Sequence, residues 1–186
     1  METEPKIKVE DICVDKAKNE GENKAKNEVK KSPGKSGKKI LLKGKIKKFD
    51  KKLYDKYDVP AREIIKNKLG DIVKDNPDIY AEDLILDDCN CKYKFIELQV
   101  CAIWKNDKYP YKLPFVYERK GHFSKETIFI IFDRYMTKGL IFDKESLNSE
   151  PKRIKKYSRI FVYDVPWRSV LPFIVDNLDI DLIKSY

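Results

Sequence analysis

Residues 83–99 read Asp-Leu-Ile-Leu-Asp-Asp-Cys-Asn-Cys-Lys-Tyr-Lys-Phe-Ile-Glu-Leu-Gln. Two apolar runs flank a polar turn, Asp87 to Cys91, which is the pattern of a β-hairpin. With Leu86 paired to Lys92, Asp83 stands opposite Phe95. Period-two alternation then puts Asp83, Glu97 and Gln99 on one face and turns Ile96, Leu98 and Val100 toward a core. Two carboxylates converge beside an amide. Like charges held this close raise each other's proton affinity unless a positive group lies between them. A hard divalent cation, Mg²⁺ or Mn²⁺, meets that need, because it takes carboxylate oxygens together with waters and phosphate oxygens. The same spacing also fits two acidic residues on the solvent face of an amphipathic hairpin.

Upstream, Asp58 suits a helix N-cap and Pro60 the first turn. Ala61, Ile64, Ile65, Leu69, Ile72 and Val73 recur at helical spacing, with Glu63 beside that stripe. Downstream, strand-like runs rich in Ile, Val, Phe and Tyr cover Ile79 to Leu86, Lys92 to Trp104, Pro114 to Tyr117, Thr127 to Phe132, Leu140 to Phe142 and Arg159 to Tyr163. A last helix is expected to start at Pro166, kinked by Pro172 and continued by Ile174, Leu178 and Ile183. Trp167 reads as a core anchor, Arg168 as a surface charge, and His122 as structural. The aromatic turn Tyr109-Pro110-Tyr111 reads as packing over a sheet edge. The expected fold is α/β: one mixed sheet flanked by helices over residues 53–186.

In order and strand context these features resemble the PD-(D/E)XK nuclease superfamily, the restriction endonucleases and Holliday-junction resolvases. The resemblance covers about Pro60 to Trp104: an acidic residue on the first helix (Glu63), an Asp opening a strand (Asp83) and an E-x-K-like site on the next (Glu97-Leu98-Gln99). It implies a restriction-endonuclease-like core and metal-dependent phosphodiester hydrolysis. Asp83, Glu97 and the Leu98 carbonyl would hold Mg²⁺ or Mn²⁺, Gln99 would position the attacking water, and Glu63 would bind a second ion or water. Gln99 departs from the family's usual Lys and brings no positive charge. A literal E-x-K, Glu118-Arg119-Lys120, ranks lower, because its charged middle residue suits a strand end and not a central strand.

Charge is distributed unevenly. Residues 1–52 hold 17 of the 40 Lys+Arg and 9 of the 31 Asp+Glu, leaving the rest of the chain close to neutral. This lysine-rich arm carries the repeat KAKNE at Lys16 to Glu20 and Lys24 to Glu28, then a Ser-Pro-Gly linker, and is too polar to offset the entropy of folding. Lys152, Arg153, Lys155, Lys156 and Arg159 form a second basic cluster. Both can follow a phosphate backbone, and both can equally be solvated surface.

No stretch approaches the roughly 20 apolar residues of a membrane span, and the start lacks the features of a secretory signal. Four cysteines fit a reducing compartment, and a single histidine leaves a Cys/His zinc site short of ligands. The expectation is an intracellular protein, in cytoplasm, nucleus or virion. Its Lys-, Ile-, Asn- and Tyr-rich composition resembles that of proteins from AT-rich genomes, including large DNA viruses of protists. The expected partner is DNA or RNA. Two functions stay open: a metal-dependent nuclease, and a non-catalytic nucleic-acid-binding or virion-associated structural protein.

Overall fold

The computed structural model describes residues 50–88, 90–154 and 160–186. The first helix begins earlier than its sequence signals suggest. Asp50 accepts from the backbone N–H groups of Lys52 and Leu53 and opens α1 (Lys51–Leu53), which runs through a π-helical turn (Tyr54–Asp58) into α2 (Val59–Leu69). Asp58 therefore lies inside the helix with helical angles and no capping bond, not at an N-cap. Pro60 accounts for the wider turn: it lacks an N–H, and its ring crowds the carbonyl four residues back. Ala61, Ile65 and Leu69 are buried, and Gly70, at φ 65°, ends the helix in a conformation open to glycine. Val73, expected on the helical stripe, instead starts a strand.

In chain order the strands are β1 (Val73–Asp75), β2 (Leu84–Leu86), β3 (Phe95–Val100), β4 (Phe115–Tyr117), β5 (Thr127–Phe132), β6 (Lys138–Asp143), β7 (Lys152–Arg153), β8 (Phe161–Asp164) and β9 (Leu171–Ile174). Six of them form a mixed sheet in the order β1-β2-β3-β5-β6-β9, in which only β3 and β5 are parallel. The other three form a second sheet, β4-β8-β7. The expected single sheet is thus divided, because the parallel β3–β5 pair needs a long crossover and β4 lies within it.

The two faces of the large sheet have different covers. Ile96, Leu98, Val100, Ile128 and Ile130 pack with α2 and with the closing helix α3 (Ile180–Ser185). Cys101, Phe129, Ile131, Leu140 and Phe142 pack with Phe115, Tyr117 and Val162 of the small sheet. Helices therefore lie on one face and β4 and β8 on the other. Among the described residues no helix is long and apolar enough to cross a membrane.

Two further expectations are corrected. The segment from Pro166 is a short 3-10 turn (Trp167–Ser169) followed by β9, and helix returns only at Ile180. Pro172 explains the outcome, since an edge strand tolerates a missing N–H where a helix interior does not. Trp167, expected in the core, is 45% exposed on that turn. In the hairpin, Leu84 pairs with Ile96 and Ile85 with Phe95, a two-residue shift from the expected register that lengthens the turn. A shift of two preserves the faces, so Asp83 moves from opposite Phe95 to opposite Glu97.

Gly139 is fixed by close approach. It pairs with Phe173, and a Cβ there would sit 2.5 Å from Cε1 of that ring and 2.9 Å from the Ile131 carbonyl oxygen. Gly139→Ala is expected to cost about 1–3 kcal/mol through overpacking, read as a lower urea midpoint. An unchanged midpoint would mean that Phe173 moves aside freely.

Candidate active site

Asp83 and Glu97 do come together. The backbone N–H of Asp83 donates to Glu97 Oε2 at 3.1 Å, and Leu98 N–H donates to Asp83 Oδ2 at 3.0 Å. Both residues are buried, at 9% and 6% exposure. The solvent-face reading of the hairpin does not describe them, because the crossover roofs this face of β3.

Each carboxylate has its own cation. Arg62, buried on α2, places Nη2 on Asp83 Oδ1 and donates through Nη1 to the Asp83 carbonyl at 2.7 Å and to Asp75 Oδ1 at 3.0 Å. Lys120 arrives from the opposite side of the sheet, on a 3-10 turn (Glu118–Lys120) directly after β4. Its Nζ lies 2.7 Å from Glu97 Oε1 and 3.4 Å from the Leu98 carbonyl oxygen, and the residue is only 2% exposed. Asp83 Oδ1 and Oδ2 and Glu97 Oε1 and Oε2 thus each accept from a donor within the protein. As arranged, the Lys120 ammonium contacts the Glu97 oxygen and the Leu98 carbonyl that the resemblance assigns to the metal, so an ion there would share them with Lys120. Among the described residues no group of three or more His, Cys, Asp or Glu side chains is placed to hold one.

The network extends outward along α2. Asp75 Oδ2 accepts from Lys66 at 3.1 Å, and Lys66 is also 2.6 Å from Glu63. Glu63 is exposed, and its ion pair is with Lys66 and not with the buried centre. Burial opposes the Arg62 charge, but Asp83 and Asp75 outweigh it and hold the guanidinium above its ordinary pKa. Burial would likewise raise Asp75, but hydrogen bonds from Lys66 and Arg62 prevail and hold its carboxyl low. Lys66 is raised by Glu63 and then by Asp75.

Gln99, 2% exposed, donates from Nε2 to the Phe115 carbonyl at 3.4 Å, so its amide meets β4. Glu82, the neighbour of Asp83, is a buried carboxylate that the sequence reading missed. It accepts from Thr127 Oγ1 at 2.7 Å and Ser124 N–H at 2.9 Å, fastening the segment before β2 to the end of the crossover and the start of β5.

No family model, curated protein or solved structure matches this chain. The functional assignment therefore rests on the residues themselves. Glu118-Arg119-Lys120 does lie at a strand end, as its charged middle residue suggests, but its contact with Glu97 is not legible in the sequence: Lys120 and Glu97 are 23 positions apart, and no spacing rule reaches across the crossover. The remaining signal is chemical, a literal E-x-K lysine followed by Gly121, where a Cβ would meet the Tyr163 ring at 2.5 Å.

In the second basic cluster, Lys152 and Arg153 are exposed on β7, and Lys152 forms an ion pair with the buried Asp164. Lys155, Lys156 and Arg159 lie outside the described residues, as do residues 1–49 of the lysine-rich arm, whose last residues, Asp50 to Lys52, belong to the start of α1.

Proposed function

We propose that this chain is a nucleic-acid-binding protein in which Asp83 and Glu97 hold the fold together and do not support metal-dependent cleavage. The observation that carries this reading is the satisfaction of all four carboxylate oxygens by Arg62, Lys120 and two backbone N–H groups. A metal-catalysed displacement needs an ion open to both water and phosphate, and at these buried oxygens an ion would compete with Arg62 and Lys120 for the same charge. The affinity comes from charge, because the arm concentrates 17 lysines in 52 residues while the folded part is close to neutral.

One observation favours the nuclease reading: Lys120 sets beside Glu97 the positive charge that Gln99 does not supply. Helix, Asp83 strand and Glu97 strand also follow one another in the order of the PD-(D/E)XK superfamily. A single experiment separates the two. Full-length protein and a chain lacking residues 1–49 are compared for binding and cleavage of single- and double-stranded DNA and of RNA, with Mg²⁺ or Mn²⁺. Binding is expected to be steeply salt-dependent, with log affinity falling by about 0.9 per duplex phosphate contacted for each tenfold rise in salt. Removing the arm should weaken binding about tenfold or more at low salt and flatten that slope. No cleavage is expected. Metal-dependent cleavage abolished by both Asp83→Ala and Glu97→Ala in folded protein would reinstate the enzyme.

A further inference from the structure

On the large sheet's edge, a cavity of about 440 Å³ opens between β9 and the 101–114 segment of the crossover. Its walls include Trp104, Tyr109, Trp167 and Phe173, with Lys138 and Asp107 as polar groups. The rings meet edge to face: Trp104 and Tyr109 at 5.2 Å and 86°, Tyr109 and Trp167 at 5.9 Å and 83°. Trp104 is buried, and its Nε1 has no acceptor among the described residues. Trp167 stands half exposed at the rim, fixed there by donation from Nε1 to the Lys112 carbonyl at 2.9 Å. A large aromatic held rigidly at the mouth of a cavity offers contact area at little entropic cost on binding.

Charge beside the aromatic wall is mostly positive, whereas Asp176 and Asp181 are exposed next to the lining residues Asn177 and Leu182. Lys138 Nζ is held by Asp107 at 2.8 Å and lies 5.9 Å from the Trp104 ring centroid. The segment bearing Trp104, Asp107 and Tyr109 also exposes Lys105, Lys108 and Lys112, and Arg168 is exposed beside Trp167. Aromatic grooves take proline-rich peptides as well as bases, but the four exposed cations flanking the aromatic residues favour a polyanion on that side, away from the exposed Asp176 and Asp181 beside Asn177 and Leu182. Every base presents a π-face, so stacking suits a strand bound without regard to sequence.

We propose that this cavity is a stacking subsite for an unpaired nucleobase, with the surrounding lysines on the flanking phosphates. The proposal rests on the nucleic-acid-binding reading and adds a preference for single strands. It bears on neither Asp83 nor Glu97.

The test uses the full chain, titrated with oligothymidylate, oligouridylate, a blunt DNA duplex of equal length and oligoproline. Anisotropy of the labelled probe and tryptophan fluorescence are followed. Single strands are expected to quench tryptophan. Trp167→Ala should weaken single-strand binding about tenfold, and Trp167→Phe, which keeps a ring, by less. Duplex binding should change less than about twofold, because it depends on lysines. An unaltered thermal transition for Trp167→Ala, a rim substitution, establishes that any loss is one of contact. If wild type binds single strands and duplex but Trp167→Ala leaves the single-strand affinity unmoved, the subsite is overturned and the nucleic-acid reading stands. Wild type that binds no oligonucleotide overturns both. Quenching by oligoproline alone reassigns the cavity to a peptide and overturns the proposal. The two single-strand arms show whether a deoxyribose or a ribose strand is preferred.

Discussion

Lys120→Met is expected to lower the unfolding free energy by about 3–5 kcal/mol, the cost of leaving a buried carboxylate without its cation. Methionine keeps the length and apolar stem of lysine, so the change removes charge and hydrogen bonding more than volume. Glu97, at 6% exposure, would lose the ammonium 2.7 Å from Oε1 and keep the Asp83 N–H on Oε2. Urea unfolding provides the measurement. The double variant Glu97→Gln with Lys120→Met carries no stranded charge and should recover most of the loss, since a buried pair replaced by neutral residues of similar volume is often tolerated. Recovery in the double variant also covers the case in which Lys120→Met alone fails to fold. A single-variant loss under about 1 kcal/mol would be the effect of a surface ion pair and would sink the assignment of Lys120 to the buried centre.

What the sequence made legible was periodic. The runs around β2, β3 and β5 alternate or bury continuously, and the pairing of Asp83 with Glu97 survived a register error because two residues restore the same face. What it hid was long-range. Nothing local to Glu118-Arg119-Lys120 states that a crossover folds it over β3, turning a charged turn into a buried cation. Two carboxylates held this close need positive charge beside them, and Arg62 and Lys120 supply it. Pro172 misled in the opposite direction: read as a helix kink, it marks an edge strand whose neighbours Trp167 and Phe173 line the aromatic cavity. Metal or side-chain cations can both neutralise such a pair, and period-two spacing cannot distinguish them.

Arg62→Met is expected to cost a similar amount, about 3–5 kcal/mol, from the other side of the sheet. Arg62 makes three contacts from one planar fork, to the Asp83 carboxylate, the Asp83 carbonyl at 2.7 Å and Asp75 at 3.0 Å. The Asp75 contact adds little, because that carboxylate is 54% exposed and screened. The loss therefore falls on Asp83, which would keep only the Leu98 N–H on its carboxylate among these donors. Arg62→Lys retains the charge but not the fork, and should fall between wild type and Arg62→Met. The deficit should narrow on acidification, since protonating the stranded carboxylate removes the charge that burial penalises; a pH-independent deficit would point to lost packing. The two ion pairs share one hydrogen bond, Asp83 N–H to Glu97 Oε2, at 3.1 Å. Combining Arg62→Met with Lys120→Met in a background stabilised enough to stay folded should then cost less than the two single losses together, by about 0.5–3 kcal/mol of coupling. Strict additivity would show two independent pairs, and the buried centre would no longer count as one electrostatic unit spanning both faces of the sheet.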